Sequence, residues 1–293
     1  KVLVIIMVKL GINEKSLPAA MSWFDKLNFA KNQGFSFVEM SIDETNARIA
    51  RLSWNKEQRF SLVKDIYQSG VSIDTMMLSA LRRFPLGSEN KAIYDQSFDM
   101  CQKAIILAKD LGIRNIQIAG YDEYYGSKTP LTHENFIENL QRVVNFAAEH
   151  QVMISIETMD DCFINSIAKI KNVKKSIVSP WLQAYPDLGN ISAWPDNQPI
   201  EDLTQGLDSI IAIHVKDVLS VTDQTSGKFK DVPFGEGDVN FLGLFKALKR
   251  VGYQGTFTIE MWSENDIDAD SKVVFAHDFI VDLLTQSGLL VEM

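Results

Sequence analysis

The chain has 293 residues with a formal net charge of −9, and an acidic surface of that kind repels polyanions, which argues against nucleic acid as its main partner. It is 46% hydrophobic and 23% charged, the composition of an ordinary globular protein long enough to bury its own core without staples. Its two cysteines, Cys101 and Cys162, form no disulfide framework and match no zinc spacing, which suits a reduced cytoplasmic protein.

The N-terminus opens on an apolar run, residues 2–8, between Lys1 and Lys9. Seven apolar residues are too few to span a bilayer and no small-residue cleavage site follows, so residues 1–9 read as a leader or an extended first strand, with no membrane partner expected. From Leu10 onward, short β-rich apolar runs alternate with amphipathic stretches of helical period. The runs cover 4–12, 35–41, 71–78, 113–119, 152–157, 181–185, 210–215 and 255–260. Trp23, Phe24, Leu27 and Ala30 share one face of a first helix that stops near Gly34; Phe60, Val63 and Tyr67 line a second, ending at Gly70. Met100, Ala104, Leu107 and Leu111 line a third, and Phe136, Leu140, Val143 and Ala147 a fourth. Weaker patterns fill 166–176 and 199–207; Phe241, Leu244, Phe245 and Leu248 make a seventh helix closed by Gly252, and 271–286 an eighth. Eight strand–helix units with continuously apolar strands predict an α/β fold, a single-domain (β/α)8 TIM barrel over residues 10–293. No Gly-x-Gly-x-x-Gly fingerprint opens the first helix, which disfavours a dinucleotide-binding sheet.

Functional groups of such a barrel sit at the C-terminal ends of its strands. Four successive runs end there on Glu157, Asp187 (in Tyr185-Pro186-Asp187), His214 and Glu260. One acidic residue at a strand end is ordinarily a solvated carboxylate or a helix cap. Four on consecutive strands form a ligand set, because ionisable groups in apolar strands are costly unless paired or bound to a cation. Three carboxylates and an imidazole suit one divalent ion, Mn²⁺, Mg²⁺, Co²⁺ or Zn²⁺, as cofactor.

Several longer segments carry a resemblance: Leu10-Gly11-Ile12-Asn13-Glu14-Lys15, Phe37 through Glu44, Arg82-Arg83-Phe84-Pro85-Leu86-Gly87-Ser88, Ala119-Gly120-Tyr121-Asp122, His214-Val215-Lys216-Asp217, Val232 through Gly237, and Ile259-Glu260-Met261-Trp262. In these the chain closely resembles the L-ribulose-5-phosphate (L-xylulose-5-phosphate) 3-epimerases, also labelled hexulose-6-phosphate isomerases, of the xylose-isomerase-like barrel superfamily. The resemblance runs from about Leu10 to near the C-terminus; residues 1–9 fall outside it. It implies a divalent cation held by Glu157, Asp187, His214 and Glu260. It also implies a phosphorylated pentulose substrate, inverted at C3 through an enediolate with Glu157 and Glu260 as the acid–base pair. Related epimerases of unphosphorylated ketohexoses carry histidine three residues after the metal aspartate, where this chain has Asn190.

The phosphate calls for cations. Arg82 and Arg83 follow the third strand, and Lys216 lies two residues beyond His214, on the same side of its strand; for each the plain alternative is a surface ion pair. Glu39 is expected to orient a ligand, bind sugar hydroxyls or serve the structure alone. Tyr121, Tyr124, Tyr125, Asn190 and Trp194 are candidates to wall the pocket or touch the sugar, and Glu236, in its Gly-Glu-Gly turn, to bind a hydroxyl. His133, His150 and His277 read as structural or surface residues. Rival readings are an aldose–ketose isomerase of a hexulose 6-phosphate, an abasic-site endonuclease-like metal hydrolase (disfavoured by four histidines in all and by the acidic charge), and a binding protein on a degenerate barrel. A homo-oligomer, taken as a dimer, is expected because barrels commonly pair through helices or rim loops.

Overall fold

The structure is a computed structural model and describes residues 6–292. Ten strands and ten α-helices follow one another as β1 (Ile6–Val8), β2 (Leu10–Asn13), α1 (Trp23–Asn32), β3 (Phe37–Ser41), α2 (Asn46–Ile49), α3 (Lys56–Ser69), β4 (Ser72–Met77), α4 (Lys91–Leu111), β5 (Asn115–Ala119), α5 (Pro130–Glu149), β6 (Met153–Glu157), α6 (Ile167–Ser176), β7 (Leu182–Tyr185), α7 (Leu188–Ser192), α8 (Pro199–Gly206), β8 (Ala212–Val215), α9 (Phe241–Val251), β9 (Thr256–Ile259), α10 (Ala269–Ser287) and β10 (Leu289–Val291).

Strands β2 to β9 form one parallel sheet in the order β7-β6-β5-β4-β3-β2-β9-β8. Its two ends meet through the parallel bridges Ala184↔Ile210 and Asp187↔His214, so the sheet closes into the eight-stranded barrel that eight strand–helix units predict. The helices stop where the left-handed conformation is cheap: Gly112 and Gly252, at φ of 80° and 79°, end α4 and α9. Helix α5 starts on a Thr129 cap followed by Pro130, whose missing N–H would be an orphan there anyway. Among the described residues, no helix is long and apolar enough to cross a membrane.

Two expectations need correction. The run at 4–12 is two strands, because β1 leaves the barrel and pairs in parallel with β10 (Ile6↔Leu289 to Val8↔Val291) while β2 enters between β3 and β9. Residues 1–5 of the expected leader lie outside the described residues. Of the face expected for the second helix, only Val63 meets the core. In α3, Phe60 and Tyr67 are 70% and 87% exposed, and Leu62 is buried, with Val63 and Ile66 packed against the core. Leu62 and Ile66 share a stripe as periodic as Phe60–Val63–Tyr67, and period alone does not say which stripe meets the sheet. In α1, Leu27 and Ala30 are buried as expected, but Phe24 is 39% exposed.

Apolar residues fill the barrel wall and the helix layer, yet the strands also bury Asn13, Glu39, Thr75, Gln117, Ser155, Glu157, His214 and Thr258. Burying so many polar groups is costly unless they satisfy one another or a ligand.

Candidate metal centre and active site

Register brings the four sequence-predicted ligands to one rim. Glu157 ends β6 and sits beside Tyr185 of β7, Asp187 is bridged to His214 of β8, and the Glu260 N–H donates to Val215 O at 3.0 Å. Asp187 also caps the five-residue helix α7, accepting the Asn190 N–H at 2.7 Å on Oδ1. One ligand atom from each of Glu157, Asp187, His214 and Glu260 lies within 4.8 Å of the other three, and all four residues are buried.

Each ligand is held from behind. His214 Nδ1 lies 2.8 Å from Glu157 Oε1 and 4.0 Å from Glu260 Oε2, while Nε2 lies 2.7 Å from Glu39 Oε1. The Gln117 amide donates to Glu157 Oε2. Lys216 Nζ lies 3.4 Å from Glu260 Oε2 and 3.5 Å from Asp187 Oδ2.

Counting charge tests the fit of a cation. Glu39, Glu157, Asp187 and Glu260 face one ammonium, Lys216, and one imidazole, so with all four carboxyls ionised two negative charges remain in a buried space even when His214 is protonated. Burial pushes Asp187 up to about 7 against the pull of Lys216, and it raises Glu157 against the pull of His214. For Glu260, burial is outweighed by Lys216 and His214, and its carboxyl is held below the usual range. His214 is raised despite burial because Glu39 and Glu157 flank it. Asp187 Oδ2 is buried and accepts no hydrogen bond. A buried carboxylate oxygen that accepts no hydrogen bond, the surplus negative charge and a hard oxygen–nitrogen donor set fit one divalent cation.

The remaining predicted site residues divide. Lys216 is buried among the ligands rather than free at the rim. Arg82 lies over the rings of Tyr121 and Tyr124, at 5.7 and 5.4 Å from their centroids, and its Nε is buried without a partner. Arg83 turns away: it is exposed and donates to Asn46 Oδ1 at 2.9 Å. Tyr121 is buried with its hydroxyl on Asp160, and the exposed Tyr125 bonds Glu44. Asn190 donates its amide to Thr158 O at 2.7 Å, leaving Oδ1 buried and unpaired, as is Trp194 Nε1. Glu236 is exposed on the surface of its turn, because the carboxylate that organises that loop is Asp217, which accepts the Gly235 and Gly237 N–H groups. Glu39 is fully buried and reaches His214, not the rim. His133, His150 and His277 all lie outside the cluster, on α5, at its end and on α10.

Sequence reasoning missed three cationic or aromatic neighbours. The ammonium groups of Lys15, Lys216 and Lys230 lie 5.6, 5.3 and 5.4 Å from the ring of Trp262. Burial, together with cationic neighbours that include Arg82, holds Lys15 and Lys230 below the usual lysine range. Trp262 also walls a cavity of about 300 Å³ that touches Lys216, Glu260 and Phe234. Lys15 and Trp262 stand inside the quoted motifs and were legible there; Lys230 lies in the long loop after β8, where no pattern marks it.

Comparison with known proteins agrees with this architecture. The model of the xylose isomerase-like TIM barrel family matches residues 27–281. A Haemophilus influenzae protein named putative L-ribulose-5-phosphate 3-epimerase SgbU is 46% identical over 282 residues, 96% of this chain and 98% of that one. The L-ribulose-5-phosphate 3-epimerase UlaE of Shigella flexneri is 46% identical over 283 residues, 97% of each. Among solved structures, an L-ribulose 3-epimerase superposes with a TM-score of 0.75 at 17% identity, covering 96% of both chains. D-psicose 3-epimerase of Clostridium cellulolyticum with D-tagatose gives 0.76 at 14% identity over 94% of this chain and 99% of that one. The chain therefore belongs to the xylose isomerase-like TIM-barrel family, in the group whose members carry the name L-ribulose-5-phosphate 3-epimerase.

Proposed function

We propose that the protein is a divalent-metal-dependent isomerase that interconverts L-xylulose 5-phosphate and L-ribulose 5-phosphate by inverting C3. The observation that carries the reading is the convergence of Glu157, Asp187, His214 and Glu260 within 4.8 Å at the C-terminal rim, in a chain 45–47% identical over nearly its whole length to proteins named for that reaction. The four residues would hold one ion, Mn²⁺, Mg²⁺, Co²⁺ or Zn²⁺. Bound there, it would supply Lewis acidity for the negative charge that develops on the sugar oxygens.

The chain's own groups carry the protons. One of Glu157 and Glu260 takes the proton from C3, the other returns one to the opposite face, and the two exchange roles with direction. Their surroundings push the two carboxyls apart, Glu157 up by burial and Glu260 down by Lys216, as a paired acid and base require. The Gln117 amide fixes the Glu157 carboxylate, and Lys216 sets Glu260 against Asp187. Asn190 Oδ1 and Trp194 Nε1, buried and unpaired, are offered to sugar hydroxyls.

For the phosphate we propose Arg82, Lys15 and Lys230, with Trp262 as the ring that both lysines approach. Arg83 has no part in it, and Lys216 serves the carboxylates. Two unpaired cysteines suit a reducing compartment, and we read the enzyme as cytoplasmic. A homodimer completes the proposal, and the mass in solution tests it.

Metal-loaded enzyme incubated with L-ribulose 5-phosphate in D₂O, followed by proton NMR, tests the reaction. Deuterium at C3 with appearance of L-xylulose 5-phosphate is expected. Exchange at C1 alone would replace the epimerase with the aldose–ketose isomerase, and no exchange with any of the four metals would overturn the substrate assignment.

A further inference from the structure

Behind the ligand set lies a fourth carboxylate that no part of the reaction uses. Glu39 is fully buried in the middle of β3, and its two oxygens are saturated from four different strands. Oε1 accepts the Asn13 amide at 2.8 Å and faces His214 Nε2 at 2.7 Å. Oε2 accepts the Thr75 hydroxyl at 2.7 Å and the Tyr185 hydroxyl at 3.3 Å. The Tyr185 hydroxyl is anchored in turn by Thr258 Oγ1 at 2.9 Å, and its ring packs edge-on against the imidazole of His214, centroid to centroid 4.6 Å.

A carboxylate has about four acceptor positions, and here all four are taken. Glu39 therefore has nothing left for a sugar hydroxyl, and being fully buried it could not reach one. Carboxylates face both ring nitrogens, but only Nδ1 is turned toward other members of the ligand set, Glu157 and Glu260; a cation between them would take the Nδ1 lone pair, while Glu39, outside the set, keeps the proton on Nε2.

We infer that Glu39 is a positioning residue of the metal centre: held by Asn13, Thr75 and Tyr185, it fixes the rotation and tautomer of His214 so that Nδ1 is the ligating atom. The inference rests on the metal reading above and extends it from the four ligands to the strand network behind them. It also explains why β2, β4, β7 and β9, which contribute no ligand from within the strand, nonetheless bury Asn13, Thr75, Tyr185 and Thr258 inside an apolar barrel.

The test titrates metal-free protein with Mn²⁺ alone, reading free Mn²⁺ by its electron paramagnetic resonance, in the wild type and in Glu39→Gln. Gln keeps the size and most of the hydrogen bonds but removes the charge that orders the ring. We expect Mn²⁺ affinity about 10- to 100-fold weaker, with the melting temperature of the metal-free protein nearly unchanged and KM at saturating Mn²⁺ unchanged. Glu39→Asp, which keeps the charge but withdraws it by one methylene, gives the same loss and serves if the first variant folds poorly. In metal-loaded wild type, ¹⁵N NMR of His214 is expected to show the Nε2-protonated tautomer. Unaltered Mn²⁺ affinity in both variants, a raised KM in place of weaker metal binding, or an Nδ1-protonated ring would each overturn the inference. A wild type that binds Mn²⁺ without epimerising anything would overturn the proposed reaction and leave this inference standing; one that takes up no Mn²⁺ would overturn both.

Discussion

Two buried clusters of acids and bases draw on adjoining stretches of the chain, Glu39 near Asp43 and Glu260 near Glu264, and they are balanced in opposite ways. Around Glu14, three carboxylates (Glu14, Asp43, Glu264) meet four cations. Arg51 lies 2.6 Å from Glu14, Arg48 2.6 Å from Asp43, and Lys26 and Lys15 each 3.7 Å from an acid. Burial would raise Glu14, but Arg51, Lys26 and Arg48 overcome it and hold the carboxyl below the usual range. Around His214 the acids outnumber the cations, and burial raises Glu157 and Asp187. A buried network in which cations at least match the acids ties loops together; one with surplus negative charge is built for a further cation to complete it.

The largest effect expected from breaking this contrast is on chemistry. Glu260→Gln, measured at saturating metal, lowers kcat by about 10²- to 10⁴-fold, the range for a lost general acid or base. Next comes stability. Glu14→Gln leaves three cations facing a neutral group and costs about 3 kcal/mol at pH 7, read by urea unfolding, while metal uptake is preserved.

The pH dependence separates the clusters by sign. Glu14 titrates lower in the fold than its ordinary 4.5, so its contribution is complete above that value and is lost as pH falls through the lower folded pKa; the deficit of Glu14→Gln shrinks in acid. Asp187 titrates at about 7 against an ordinary 3.8, so in metal-free protein its ionisation erodes stability as pH rises from about 4 through 7. Metal-free Asp187→Asn is therefore expected to be more stable than metal-free wild type at pH 8, with the advantage gone below pH 4. Thermal melts from pH 4 to 8 check both signs.

Smaller still is the effect at the phosphate end. Arg82→Ala raises KM for the sugar phosphate about tenfold, near the 1.4 kcal/mol of one charge-assisted contact, whereas Arg83→Ala stays within about twofold because Arg83 points to Asn46. Equal effects from the two arginines would contradict the placement of Arg82 over Tyr121 and Tyr124.

Much of this was legible in the sequence because each ionisable ligand interrupts an apolar strand or follows one directly, and parallel strands deliver their C-terminal ends to one rim. The eight units, the glycine stops and the four ligands are local signals of that kind. What escaped is what depends on partners distant in sequence. Period could not choose the buried stripe of α3, nor separate β1 from β2 when β1 pairs with β10 at the far end of the chain. Choosing among the three roles expected of Glu39 needed the positions of Asn13, Thr75, Tyr185 and His214 together, and Lys230 needed the fold of the loop that lays it over Trp262.

The central claim, that surplus buried charge marks the metal centre, is tested most directly by isothermal titration of metal-free protein with Mn²⁺ at pH 7.5. One saturable ion per chain is expected in the wild type and in Glu14→Gln, and no saturable binding in Asp187→Asn. Uptake that survives Asp187→Asn, or that disappears with Glu14→Gln in a protein that still folds, would contradict it.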